Sequence, residues 1–188
     1  APLDKQFEYP YGVTFNGSMG LITQRYMHET GATAEEMASI TVALRAWGAL
    51  DPMSIFHDKP ITLDDVLSSR LISTPLRAKE CNLLADGGGA MVVAAGDIAA
   101  EHGDKAVYKR GHGTRFMSAT PMLRKDVFHR KAYGESSKDA LDQAGLDIHD
   151  MDLRQIYGAY PYTQASALEG YGVCEVGHGA KLWAEGRC

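Results

Sequence analysis

The chain has 188 residues, 45% of them hydrophobic and 23% charged, with a net charge of −5 from 24 acidic and 19 basic side chains. These values sit near globular averages, which excludes a disordered, collagen-like or mucin-like chain, and the length suits one domain or parts of two. The longest apolar stretch, Ala90 to Ala95, falls far short of the roughly 18 residues that cross a bilayer, and the opening APLDKQFEYP has neither the basic nor the apolar region of a signal peptide.

In chain order, residues 1–16 are rich in aromatics and turn formers (Phe7, Tyr9, Pro10, Tyr11, Phe15) and read as an extended segment that docks elsewhere. A helix is predicted from about Met19 to Glu29, with Leu21, Ile22, Tyr26 and Met27 on its buried side and Gly31 at its end. Thr33 and Glu36 have the spacing of a capping box. Met37, Ile40, Leu44 and Trp47 then follow at helical spacing until Gly48 and Asp51-Pro52 close the helix. Thr62 caps a shorter helix, with Asp64 and Asp65 at the positive end of its dipole. Strands are predicted at Leu71–Thr74, Ala90–Ala95, Ala106–Lys109, Gln155–Ala159 and Ala180–Trp183. Helices are predicted at residues 97–102, Ser136–Ala144 (with Gly145 as its cap) and Thr163–Glu169; residues 117–130 are ambiguous. Alternating strands and helices imply α/β layering. The best seam lies near residues 100–105.

The basic residues are scattered. Their densest group, Arg124, Lys125, Arg130 and Lys131, is interrupted by Asp126, which argues against a nucleic-acid binder. Three cysteines, Cys81, Cys174 and Cys188, form neither a disulfide framework nor a C-x-x-C pair, so a reducing, cytosolic compartment fits best. Cys81 and Cys174 read as small buried hydrophobes rather than nucleophiles. Asp86-Gly87-Gly88-Gly89-Ala90 lacks the Lys-Ser/Thr of a phosphate loop and reads as a tight turn into a buried strand. No histidine pair has metal-ligand spacing; His112 and His178, each between glycines, suit exposed loops. The richest cluster is Tyr157-Gly-Ala-Tyr160-Pro-Tyr162-Thr163, at a strand end entering a helix. Strand ends are where α/β proteins build sites. These phenols can serve acid/base chemistry if their surroundings tune them, or form a packed aromatic corner with locally satisfied hydroxyls.

Two segments together resemble the thiolase superfamily, in its sterol-carrier-protein-2 branch. Thr62 to Ala95 (TLDDVLSSRLISTPLRAKECNLLADGGGAMVVAA) is similar to the family's short helix, S-R-x-I-x-x-P-L run, cysteine and Gly-rich turn into a strand. Tyr157 to Gly186 (YGAYPYTQASALEGYGVCEVGHGAKLWAEG) is similar to the segment that begins H-D-C-F and runs through a Leu-Glu-x-Leu-Gly-x-Cys and a Gly-x-Gly-Ala. Leu21 to Pro52 also resembles the thiolase loop domain.

The resemblance implies a thiolase-like layered αβαβα fold of the α/β class, present here in part. Residues 1–104 would form the loop region and the later part of the N-terminal half, and residues 105–188 the early part of the C-terminal half. It also implies a dimeric, cytoplasmic enzyme of lipid metabolism with an acyl-CoA substrate. Coenzyme A would enter as part of that substrate, with no bound cofactor, no metal, no nucleic acid and no membrane span. This would be the middle of such a protein, lacking the segments that carry the family's reactive cysteines, so the chain alone is expected not to turn over.

Counting back from Glu169 at the family spacing puts the H-D-C-F histidine on Tyr157, the aspartate on Gly158, the cysteine on Ala159 and the phenylalanine on Tyr160. In thiolases that histidine helps build an oxyanion hole. A tyrosine still donates one hydrogen bond but carries no positive charge. Thiolase-like aldolases of bacterial steroid side-chain degradation depart in a similar way. They use tyrosines for retro-aldol cleavage of a β-hydroxyacyl-CoA and work with an OB-fold partner. The resemblance therefore points first to a lyase with Tyr157 as its catalytic residue. An SCP2-type acetyl-CoA acyltransferase and a non-catalytic thiolase-fold subunit are the alternatives.

Overall fold

The computed structural model describes residues 5–7, 9–12, 14–117 and 128–187. Arg124, Lys125, Asp126 and Cys188, singled out above, and most of the ambiguous stretch 117–130 lie outside the described residues.

Helix α1 (Phe15–Thr30) starts where the Thr14 hydroxyl accepts from the Gly17 amide, and it stops at Gly31 in the left-handed region. Its buried residues Met19, Ile22, Thr23 and Tyr26 fall at the spacing of one helical face. Leu21, expected on that face, is 47% exposed because it points away from it. Gly20 lets α1 approach the next element closely: a Cβ there would sit 2.6 Å from Ser73 Oγ. Helix α2 (Ala34–Leu50) carries the expected capping box: the Glu36 amide donates to Thr33 Oγ1 at 3.2 Å and the Thr33 amide to Glu36 Oε2 at 2.9 Å. Thr62 and Asp65 cap α3 (Leu63–Leu67) in the same reciprocal way. Strands β1 (Leu71–Ser73) and β2 (Leu76–Arg77) pair antiparallel around a cis Thr74–Pro75 bond.

Helices α4 (Gly96–Ala100), α5 (Arg130–Ala144), α6 (Pro161–Tyr171) and α7 (Gly179–Ala184) follow. Helix α6 is the centre of the packing. Every residue from Pro161 to Glu169 is buried, and α1, α2, α5 and α7 all pack against it. A helix buried all round needs small or satisfied side chains on each face. Ala165, Ser166 and Ala167 are fully covered, and Gly134 and Gly170 permit the α5–α6 crossing, where a Cβ on Gly170 would meet Arg130 O at 2.7 Å.

Several strands expected from the sequence are absent among the described residues. Ala90–Ala95, Ala106–Lys109 and Gln155–Ala159 have no ladder partner, and only β1 and β2 pair. Met91, Val92 and Val93 are 86–97% exposed, so the Asp86–Ala90 turn leads into an exposed extended segment rather than a buried strand. Apolar runs supply strand propensity, but a strand also needs a neighbour. Ala180–Trp183 is helical, not a strand, because it lies within α7, which packs on α2 and α6. Trp47 is 65% exposed although it continues the apolar spacing of α2. In the opening segment Phe7, Tyr9 and Tyr11 are exposed, and Tyr9–Tyr11 forms a single 3-10 turn rather than an extended segment.

Candidate functional site

Tyr157 lies in the extended approach to α6, and it is 77% exposed. The backbone on both sides of it is clamped. Gln164, itself buried, donates from Nε2 to Ile156 O at 2.8 Å. The Asn82 amide donates to Ala159 O at 3.1 Å. Thr163 Oγ1 donates to Tyr160 O at 2.7 Å and lies 3.5 Å from Tyr157 O. A Cβ on Gly158 would meet Gln164 Nε2 at 2.6 Å and Leu44 Cδ1 at 3.0 Å, so any larger residue there displaces the ends of those two side chains. The result is an exposed phenol on a fixed backbone at the start of the central helix.

The three tyrosines of the cluster have different fates. Tyr160 is the N-cap of α6 and is 2% exposed; its phenol donates to Asn16 Oδ1, and its ring lies 6.0 Å from that of Phe15. Burial, with the Cys81 and Tyr157 charges nearby, pushes the Tyr160 phenol up to about 12. Tyr162 is fully buried, and its hydroxyl oxygen accepts from the His129 amide at 3.1 Å. The packed-corner reading therefore holds for two of the three tyrosines. Tyr160 and Tyr162 form a packed corner with satisfied hydroxyls, while Tyr157 alone faces solvent.

Beyond this segment, one polar site escaped the sequence reading. The Glu169 carboxylate, fully buried in α6, accepts from Tyr26 Oη at 2.5 Å and from the Gly179 amide at 3.2 Å. Arg130 Nε lies 2.7 Å from its other oxygen, an ion pair whose N–H is not aligned as a hydrogen bond. Burial, and then the hydrogen bond to Glu169, hold the Tyr26 phenol far above the ordinary tyrosine range. This carboxylate ties α1, α5, α6 and the start of α7 together. The signal in the sequence was a charged residue inside the apolar run of a helix, flanked by Leu168 and Gly170.

Cys81 is half-buried against the core, and burial, followed by the charge of Glu80, raises its thiol. That is the opposite of activation. Cys174 is half-buried too, so neither cysteine is fully inside as expected. His112 faces solvent as expected, yet its flanking glycines serve close packing. Gln143 bonds both the amide and the carbonyl of His112, and a Cβ on Gly113 would sit 2.0 Å from Ser136 O. Among the described residues no group of three or more His, Cys, Asp or Glu is placed to hold a metal, and no helix is long and apolar enough to cross a membrane. A groove of about 520 Å³ runs beside the site, lined by Leu44, Trp47, Ile156, Gln164, Leu168 and Trp183 among others.

Residues 113–188 match the family model described as "Thiolase C-terminal domain-like". The solved structure of an Ltp2-ChsH2(DUF35) aldolase superposes with a TM-score of 0.83 at 28% identity, covering 95% of this chain and 48% of that one. The fold is thiolase-like. Its small sheet and many helices are a partial version of that α/β fold. A 17-hydroxy-3-oxo-4-pregnene-20-carboxyl-CoA lyase from Mycobacterium tuberculosis is 29% identical over 98% of this thiolase-like chain and 49% of its own length. An acetyl-CoA acetyltransferase from Methanothermobacter thermautotrophicus is 27% identical over 97% of the chain and 48% of its own length. The chain thus spans about half the length of the curated relatives it matches.

Proposed function

We propose that this chain is part of a thiolase-like lyase that cleaves a β-hydroxyacyl-CoA by a retro-aldol reaction, with Tyr157 as its proton-carrying residue. The observation that carries this reading is the pairing of an exposed phenol at Tyr157 with a clamped backbone at the head of α6. The names of the lyase and aldolase relatives support it.

The reaction needs little more than proton management and charge stabilisation. A base takes the β-hydroxyl proton, the α–β carbon bond breaks, and its electron pair moves onto the thioester as an enolate. An acid then protonates the α carbon, which leaves a carbonyl compound and a shorter acyl-CoA. A phenol can hold or yield the proton in either step. Coenzyme A enters only as the handle of the substrate. A steroid or lipid side chain is the acyl class that fits the relatives' names. We extend to this protein a cytoplasmic setting, a homodimer, a partner subunit of the OB-fold type, and a division of the chain at about residues 104–105.

Acyl transfer is the second reading, favoured by the acetyl-CoA acetyltransferase relative. It needs an activated cysteine. Cys81 is a poor candidate because its thiol is raised, so the nucleophile would come from another part of the protein.

The test is turnover by the full-length protein. A steroid β-hydroxyacyl-CoA should give a ketone and a shortened acyl-CoA, seen by mass spectrometry, and Tyr157→Phe should abolish both. Undiminished cleavage by Tyr157→Phe removes the assignment. An acyl-enzyme mass adduct on a cysteine selects acyl transfer, and no turnover with any acyl-CoA selects a non-catalytic subunit.

A further inference from the structure

We propose that Tyr160, through its hydrogen bond to Asn16, is the positioning residue that holds Tyr157 in its working orientation. The inference rests on the lyase reading above and adds a device to it. Tyr160 and Tyr157 share one short stretch of backbone leading into α6, Tyr157-Gly158-Ala159-Tyr160. Two of the clamps on that segment come from α6 itself, and a third is a backbone hydrogen bond from the distant Asn82. Gln164 and Thr163 reach back from the helix, and the Asn82 amide meets Ala159 O. The Tyr160 phenol is different in kind. It reaches from the N-cap of α6 to Asn16, in the first turn of α1, across a sequence separation of 144 residues. It therefore fixes the head of α6 relative to a separate helix, and Tyr157 rides on that head.

The chemistry suits a positioning role rather than proton transfer. The Tyr160 ring is buried beside Phe15, and its hydrogen is committed to Asn16 Oδ1. Burial keeps the phenol neutral, and the Tyr157 and Cys81 charges act in the same direction. A buried hydroxyl whose hydrogen is committed to a neighbour is out of reach of a substrate, whereas Tyr157 is the exposed phenol of this segment. Phenylalanine at position 160 would fill the same space and lose only the tie to Asn16. A small loss of alignment at a reacting group costs up to about a hundredfold in rate.

The experiment combines kinetics with a spectroscopic probe in the full-length protein. Tyr160→Phe and Asn16→Ala should each lower kcat about tenfold or more while KM stays within about twofold. The double variant should be no worse than either single one, because both remove the same bond. Asn16→Asp, which keeps the accepting oxygen, should retain near wild-type kcat. In parallel, 3-fluorotyrosine is placed at position 157 and followed by fluorine NMR. One sharp resonance is expected in the parent and in Asn16→Asp, with a broadened or doubled signal in Tyr160→Phe and Asn16→Ala.

An unchanged single resonance in all variants overturns the proposal. So does kcat within twofold of the parent in Tyr160→Phe, or a double variant whose losses simply multiply. If the parent does not cleave the substrate, the lyase reading falls by itself, and the fluorine signals still decide whether Tyr160 orders Tyr157.

Discussion

Arg130 Nε and Glu169 Oε2 stand 2.7 Å apart with the carboxylate fully removed from solvent. The same carboxylate takes the Tyr26 phenol and the Gly179 amide on its other oxygen. Arg130 also lies over the Phe128 ring, 4.4 Å from its centroid. A buried charge with several partners is stable only as a set.

Removing one member of that set should expose its cost. Glu169→Ala leaves Arg130, the Tyr26 hydroxyl and the Gly179 amide without their acceptor. A loss of about 3–5 kcal/mol is expected from breaking a buried pair. Urea unfolding followed by circular dichroism measures it. A loss below about 1 kcal/mol, the scale of an exposed pair, would show that the carboxylate does not join the helices.

The close helix crossings predict a second pattern. A Cβ on Gly179 would sit 2.3 Å from Ala165 O, and one on Gly134 would sit 2.8 Å from Gly170 O. Backbone atoms on two packed helices cannot yield as a side chain would. Gly179→Ala and Gly134→Ala should each cost about 1–3 kcal/mol, the range for overpacking. Gly87→Ala, with nothing within 4 Å, is the control and should change stability by less than about 0.5 kcal/mol.

Buried phenols make the fold sensitive to alkali. Burial pushes both Tyr133 and Tyr160 up to about 12, against about 10 in an unfolded chain. The native state thus keeps protons that the unfolded state gives up. Their contribution is fully present below about pH 10 and is lost as pH rises through about 12. The melting temperature should fall steeply across that window, and less steeply in Tyr160→Phe. Parallel curves for parent and variant would show that Tyr160 titrates normally.

Cys81 should behave as packing, not as a nucleophile. Its thiol is raised by burial and by Glu80, so iodoacetamide should label it more slowly at pH 7 than it labels a free cysteine. Cys81→Ser should leave cleavage by the full-length protein unchanged. Loss of turnover with normal folding would move the acyl-transfer reading forward.

Much of this was legible in the sequence. Thr33–Glu36 and Thr62–Asp65 gave helix starts through hydrogen bonds that span three residues, and Gly145 gave a helix end. Such signals are local, so a single sequence carries them. The strand expected at Leu71–Thr74 forms, as Leu71–Ser73, and the other expected strands do not, for the opposite reason. Ala90–Ala95 has the composition of a buried strand, but its pairing partner cannot be read from the segment itself. Within the tyrosine cluster, only the resemblance to the thiolase segment singled out Tyr157. Its exposure and the burial of Tyr160 and Tyr162 depended on which way each side chain leaves the turn. Glu169 entered the sequence reading only as a ruler for spacing, because its partners Tyr26 and Arg130 lie on other helices.

The hydrogen bond from Tyr26 to Glu169 joins residues 143 positions apart. On a ribosome moving at about 5–20 residues per second, the phenol would emerge roughly 7–30 s before its carboxylate. Helix α1 must wait through that interval with the face that carries Tyr26 uncovered. The carboxylate that joins these helices is thus made after α1, α2 and α5, and a cut before Glu169 leaves the Tyr26 phenol without its acceptor.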